Sequence, residues 1–105
     1  MSFAVRYTKR ARDDLVRLYA FLLDRIETVE DLARADAALQ AIEQAVEATL
    51  SQTPFICRKA GTSAFLRELL IPFGRAGYVA LFEIDDAKTV TILAVRHQLE
   101  DDYHR

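Results

Sequence analysis

The feature that most constrains the fold is a change of hydrophobic period at Thr53-Pro54. Before it, apolar residues recur every three or four positions. After it, they alternate or run in short aliphatic and β-branched blocks. The first pattern draws a stripe along one side of a helix, the second one face of a strand. Proline at position 54 sharpens the break, because its ring disfavours helical geometry in the residue before it. Helices and strands segregated along the chain in this way point to the α+β class.

Residues 3–7, FAVRY, alternate and predict a short first strand ending at Thr8, whose side-chain oxygen can cap a helix. Ala11, Leu15, Leu18, Leu22 and Ile26 then form one stripe. The other faces carry Arg12, Asp13, Asp14, Arg17 and Asp24, with Asp13 and Arg17 spaced for an ion pair. A second helix is predicted from Thr28, where Asp31 completes a shortened capping box. Leu32, Ala35, Leu39, Ile42, Val46 and Leu50 repeat along it, and the alanines between them permit close helix–helix approach. The short connection makes an antiparallel hairpin. Beyond Pro54, FLRELLI (65–71), GYVALFEI (77–84) and TVTILAV (89–95) read as three strands, with Pro72 and Gly74 in the first turn and Asp85-Asp86 in the second. The expected domain is β-α-α-β-β-β, a helical hairpin on a small, largely antiparallel sheet, with residues 1–105 in one unit.

The 105 residues suffice for one core, and a net charge of −2 supplies no global basic field for nucleic acid. Locally, Arg58, Lys59, Arg67 and Arg75 face only one acid, Glu68, between positions 58 and 75. A single cysteine, Cys57, excludes an internal disulfide and a Cys-based zinc site. No continuous apolar stretch marks a signal peptide or a membrane span, so a cytoplasmic protein is expected.

Three strings carry a resemblance: VRYTKRARDDLVRLYAFL near the start, LRELLIPFGRAGYVALFEI in the middle and VTILAVRHQLEDDY at the end. In that order and spacing the chain resembles the RelE/ParE family of type II toxin–antitoxin toxins, also described as plasmid stabilisation proteins. The resemblance implies a compact toxin neutralised by a small cognate antitoxin encoded beside it, in a hetero-oligomeric complex and without a cofactor. It also implies one of two activities. RelE-like members cleave mRNA on the ribosome, whereas ParE-like members poison DNA gyrase.

Metal-free RNA cleavage needs a base for the 2′-OH, an acid for the leaving oxygen and cations on the phosphorane. In RelE-like members the Gly-Tyr of the middle strand is usually followed by arginine; here Gly77-Tyr78 is followed by Val79. Arg67, Arg96, His97 and Tyr103 remain as a candidate catalytic set for a metal-independent endoribonuclease. Against it, Glu100, Asp101 and Asp102 oppose RNA phosphate. The favoured expectation is a non-enzymatic, growth-arresting gyrase inhibitor. In it Arg96, His97, Tyr103, His104 and Arg105 form the target-binding tail that stabilises the gyrase–DNA cleavage complex. The mRNA interferase is the alternative, and a non-toxic binding or regulatory module on the same fold is the third.

For the antitoxin, the expected surface combines Tyr19, Phe21 and Leu23 on the first helix with Arg58, Lys59 and Arg75, facing a peptide that orders on binding. The strip of Arg58, Lys59, Arg67 and Arg75 also reads as ordinary surface. His97, Asp101 and His104 have a spacing that could ligate a metal, but no further partner is visible and no metal is expected. Cys57 beside Arg58-Lys59 reads as packing rather than as a nucleophile, since no base accompanies it.

Overall fold

In the computed structural model, which describes residues 2–103, the change of period at Pro54 separates a helical hairpin from a meander. β1 (Ala4–Tyr7) leads into α1 (Lys9–Leu23) and α2 (Val29–Ala45). Then come β2 (Arg58–Lys59), β3 (Leu66–Phe73), β4 (Ala76–Ile84) and β5 (Thr89–His97). The strands form one five-stranded sheet in the order β1-β5-β4-β3-β2. All its pairs are antiparallel except β1 with β5.

Both helix starts follow from their caps. The Thr8 hydroxyl accepts the Ala11 amide at 3.0 Å and donates to the Leu93 carbonyl at 3.1 Å, so one side chain both starts α1 and ties it to β5. Thr28 and Asp31 make the reciprocal bonds of a capping box at the start of α2. After Ala45 the second helix widens into a π-helical turn, Val46–Leu50, and Pro54 opens a short 3₁₀ turn.

The hairpin buries Ala11, Leu18, Ala38, Ile42, Val46 and Leu50 against Leu69, Ile71, Tyr78, Ala80, Phe82, Ile84, Val90, Ile92 and Val95. Among the described residues no helix is long and apolar enough to cross a membrane.

Several expectations are corrected. Arg58 and Lys59 form an additional edge strand on Glu68 and Arg67, too short to leave an alternating signature. Pro72 lies inside β3 opposite Gly77, and the turn is Gly74-Arg75 alone, with Gly74 at φ 61°, a left-handed value that glycine adopts without strain. Leu32 is exposed, leaving Ala35 as the first buried residue of the α2 stripe. Asp13 pairs with Lys9 at 2.8 Å instead of Arg17. Asp14, expected at the surface, is buried and accepts the Val95 amide at 2.9 Å.

One irregularity decides where the tail goes. Phe82 pairs with Ile92 and Leu81 with Ala94, so Leu93 is an extra residue in β5. A one-residue bulge reverses which side chains face the core. Val90, Ile92 and Val95 therefore all reach it, while Arg96, opposite Val79, is turned to the face away from the helices.

Candidate functional site

Residues 98–103 do not project as a free end. From His97 at the end of β5 the chain folds back across β4 to β3, where the Tyr103 hydroxyl donates to Glu68. Arg96 clips this excursion from beneath. Its Nη1 donates to the carbonyls of His97, Gln98 and Glu100 at 3.3, 3.4 and 2.8 Å, and its guanidinium lies 5.2 Å from the Tyr103 ring centroid. Glu100 fastens the tail on the other side: its Oε1 accepts from Arg17 at 3.1 Å and from the His97 amide at 3.2 Å. Arg17 is itself beside Asp14, 3.6 Å away. A chain of charge-assisted contacts thus joins α1 to the tail.

His97 packs edge-on against Tyr78, ring centroids 5.3 Å apart, and its Nδ1 accepts the Leu99 amide at 3.2 Å. That acceptor role assigns the proton of the neutral imidazole to Nε2. Beside it, Leu18, Phe21, Leu22, Tyr78 and Leu99 line an open cleft of about 540 Å³ with Arg17 and Glu100 at its edge. Leu99 stands 80% exposed and Phe21 54%, an apolar rim facing water.

The four residues offered as a nuclease set are not brought together. Arg67 pairs with Phe82, on the helix-facing side of the sheet, whereas Arg96 pairs with Val79 on the other. His97 shares Arg67's face but pairs with Tyr78, four residues away along β4, about 13 Å of strand. Arg67 is also engaged elsewhere: it donates to the carbonyls of Ala64, Phe55 and Cys57 at 2.8, 3.0 and 2.7 Å, holding the loop that precedes β3. Burial, and then Glu68, push the Tyr103 phenol well above its ordinary range, so it holds its proton rather than accepting one from a 2′-OH. Arg96 and Tyr103 remain together, with the Glu68 carboxylate beside them. His104 and Arg105 lie outside the described residues.

The expected antitoxin surface divides into separate places. Tyr19 donates from its hydroxyl to Asp36 at 2.5 Å, bridging the two helices. Phe21 turns to the tail cleft and lies under the Arg25 guanidinium, 3.6 Å from its ring centroid. Leu23 is partly exposed at the end of α1. Arg58 is paired with Glu68 at 3.0 Å, Lys59 is exposed on the edge strand, and Arg75 sits in the β3–β4 turn at the opposite end of that hairpin. These residues do not line one groove.

Burial raises the Cys57 thiol above its usual range, only partly offset by Arg67, in keeping with a packing role. Among the described residues no group of three His, Cys, Asp or Glu side chains is placed to hold a metal ion.

Sequence reasoning missed Glu68, the acid that receives both Arg58 and Tyr103. Its signal was the RE pair inside LRELL, where alternation sends Arg67 and Glu68 to opposite faces.

Comparison with known proteins adds to this geometry. A family model described as the ParE toxin of the type II toxin–antitoxin system parDE matches residues 5–102. The chain is similar to Toxin RelE3 of Caulobacter vibrioides, 36% identical over 98 residues, covering 92% of this chain and 96% of that protein. It is also similar to Toxin RelE1 of the same organism, 31% identical over 100 residues, covering 95% and 98% respectively. A solved structure described as the chromosomal ParDE TA system from P. aeruginosa shares the fold, with a TM-score of 0.70 at 22% identity, covering 90% of this chain and 95% of that one.

Proposed function

The chain belongs to the RelE/ParE family of type II toxin–antitoxin toxins, and from that premise we propose that it is a ParE-like inhibitor of DNA gyrase, acting in the cytoplasm and held inactive by a cognate antitoxin. The observation that carries this reading is the division of the basic residues between two sheet faces, Arg67 on one and Arg96 on the other. A phosphorane needs its cations converging on one point. Here one arginine holds a loop and the other holds the tail, each through carbonyls of its own chain.

What the corner around β5 offers is a protein-binding surface. Leu99 and Phe21 supply exposed apolar area, Arg17 and Glu100 supply mixed charge around it, and His97 adds a polar ring. We assign target binding to this corner and its tail, Arg96 to Tyr103, with His104 and Arg105 continuing it. For the antitoxin we assign the hairpin residues Tyr19 and Leu23 together with the cationic edge at Arg58 and Lys59; Phe21 belongs instead with the tail, and Arg75 with neither.

A ribosome-dependent mRNA interferase is the second reading. It is favoured by Arg96 and Tyr103 lying together on one face of the sheet, and by the RelE designation of the two Caulobacter relatives. Purified toxin in gyrase supercoiling and DNA-cleavage assays, beside an mRNA cleavage assay on programmed ribosomes, separates the two. Accumulation of cleaved, gyrase-linked DNA with intact message is the expected result; cut message with normal supercoiling reverses the assignment. Activity in neither assay would support the regulatory-module alternative.

A further inference from the structure

At the end of the sheet away from the tail lies a second concave surface, which none of the assignments above uses. It is an open cleft of about 780 Å³ beside the β4–β5 turn, lined in part by Phe55, Phe65 and Ile84 and edged by Glu83, Asp85 and Asp86. Phe55 and Phe65 meet edge-to-face with centroids 6.3 Å apart, yet they are 49% and 54% exposed. Ile56, next in the chain, is 75% exposed. Two large aromatic side chains left half in water against each other form the kind of patch that marks a contact surface.

The surrounding charge restricts what can cover it. The lining contains three carboxylates and no lysine or arginine, and the nearby Arg67 guanidinium, 5.3 Å from the Phe55 ring centroid, is engaged with loop carbonyls. Asp85 is engaged by Arg6 and by the Thr91 hydroxyl, and Asp86 accepts the Lys88 amide at 2.8 Å, while Glu83 stands exposed on β4. A neutral or acidic segment entering the cleft would desolvate Glu83 without compensation, whereas Asp85 already has Arg6. A segment carrying cations beside an apolar side chain satisfies both the aromatic pair and the acidic rim.

We propose that this cleft receives a segment of the cognate antitoxin in which an apolar anchor residue is flanked by Lys or Arg. The proposal rests on the toxin–antitoxin reading above. It adds a contact opposite in sign to the cationic edge at Arg58 and Lys59, so the antitoxin engages two chemically distinct places on one toxin.

The test is titration of full-length toxin with the full-length protein encoded beside it, at low and high salt, using E83K and F65S. Both substitutions are at exposed side chains, and circular dichroism verifies the fold of each variant. E83K is expected to weaken binding about tenfold at low salt, with the difference shrinking at high salt. F65S is expected to weaken it about tenfold or more at both salts. Both variants remain toxic when expressed without antitoxin, and a Lys→Glu or Arg→Glu change in the antitoxin segment recovers binding to E83K. Affinities within twofold of wild type for both variants would overturn the proposal, as would loss of toxicity with antitoxin binding intact. If the neighbouring protein fails to bind even wild-type toxin, the toxin–antitoxin reading falls first and the cleft assignment with it.

Discussion

Arg67 and Arg96 lie on opposite faces of the same sheet, separated by β4 and by the one-residue bulge at Leu93. Each guanidinium donates to backbone carbonyls of its own chain. Their roles are therefore structural first, and substitution separates structure from chemistry. Arg67→Ala removes hydrogen bonds to three carbonyls and should cost about 1–3 kcal/mol. Thermal denaturation measures that loss. At a temperature where the variant stays folded, its inhibitory activity should match wild type; a large specific loss of mRNA cleavage would instead restore Arg67 as a catalytic residue.

The strand bulge also explains how much of the molecule was legible in its sequence. Helix caps at Thr8 and Thr28, the hairpin stripe and the three long strands each carry a local signature and are present, though Leu32 is exposed, Ile26 lies beyond α1 and Pro72 lies inside β3. The bulge has none: TVTILAVRH reads as nine residues of strand whether or not Leu93 is extra. Without it, Arg96 would share the face of Val90 and Ile92. The grouping of Arg67 with Arg96 failed on that residue. Asp14 was misplaced for a related reason, because the Val95 amide that it accepts comes from the far end of the chain and no helical period announces it.

Gly77 was read only as part of a Gly-Tyr string, but its position is sterically closed. A Cβ built there would stand 2.1 Å from the Ile71 carbonyl oxygen, in β3 backbone that cannot yield without breaking its pairing. Gly77→Ala should destabilise the fold by about 2–4 kcal/mol. For a domain of this size that corresponds to a fall of roughly 10 °C or more in Tm. A neutral outcome would mean that the β3–β4 pairing is looser than described.

Cys57 combines burial with a raised thiol pKa, so at neutral pH both access and thiolate content are low. Labelling by iodoacetamide at pH 7.5 should be at least about tenfold slower than for the unfolded chain, and should accelerate in denaturant with the unfolding transition. Rapid labelling of native protein would show an open loop at 55–59 and weaken the assignment of Arg67 as its clamp.

The Tyr103–Glu68 bond makes tail docking sensitive to alkaline pH in a definite direction. The phenol is held protonated by burial first and by the neighbouring carboxylate second, so its folded pKa is raised. A raised pKa contributes stability that is present below the unfolded value near 10 and is lost as pH rises through the folded one. Tail amides should therefore stay protected from hydrogen exchange at neutral pH and lose protection selectively above about pH 10. Tyr103→Phe, which cannot donate to Glu68, should show reduced protection at neutral pH already, at a cost of about 1 kcal/mol.

Truncation tests whether the docked tail is the working surface or only a cover. Stopping after Val95 would also delete Arg96 and His97, which pair with Val79 and Tyr78, and would confuse loss of strand with loss of function. Stopping after Gln98 leaves β5 whole and removes Leu99, the Glu100–Arg17 pair and the Tyr103–Glu68 bond. Both lost polar contacts are partly buried, so the expected cost is about 1–3 kcal/mol, with the rest of the fold retained. Growth arrest should disappear, while affinity for the antitoxin stays within about threefold of wild type, because the hairpin and the distal cleft are untouched. Continued arrest would place the gyrase contact elsewhere. The exposed Phe21 rim would then be the next residue to truncate, since it faces the same cleft from α1 and survives the deletion.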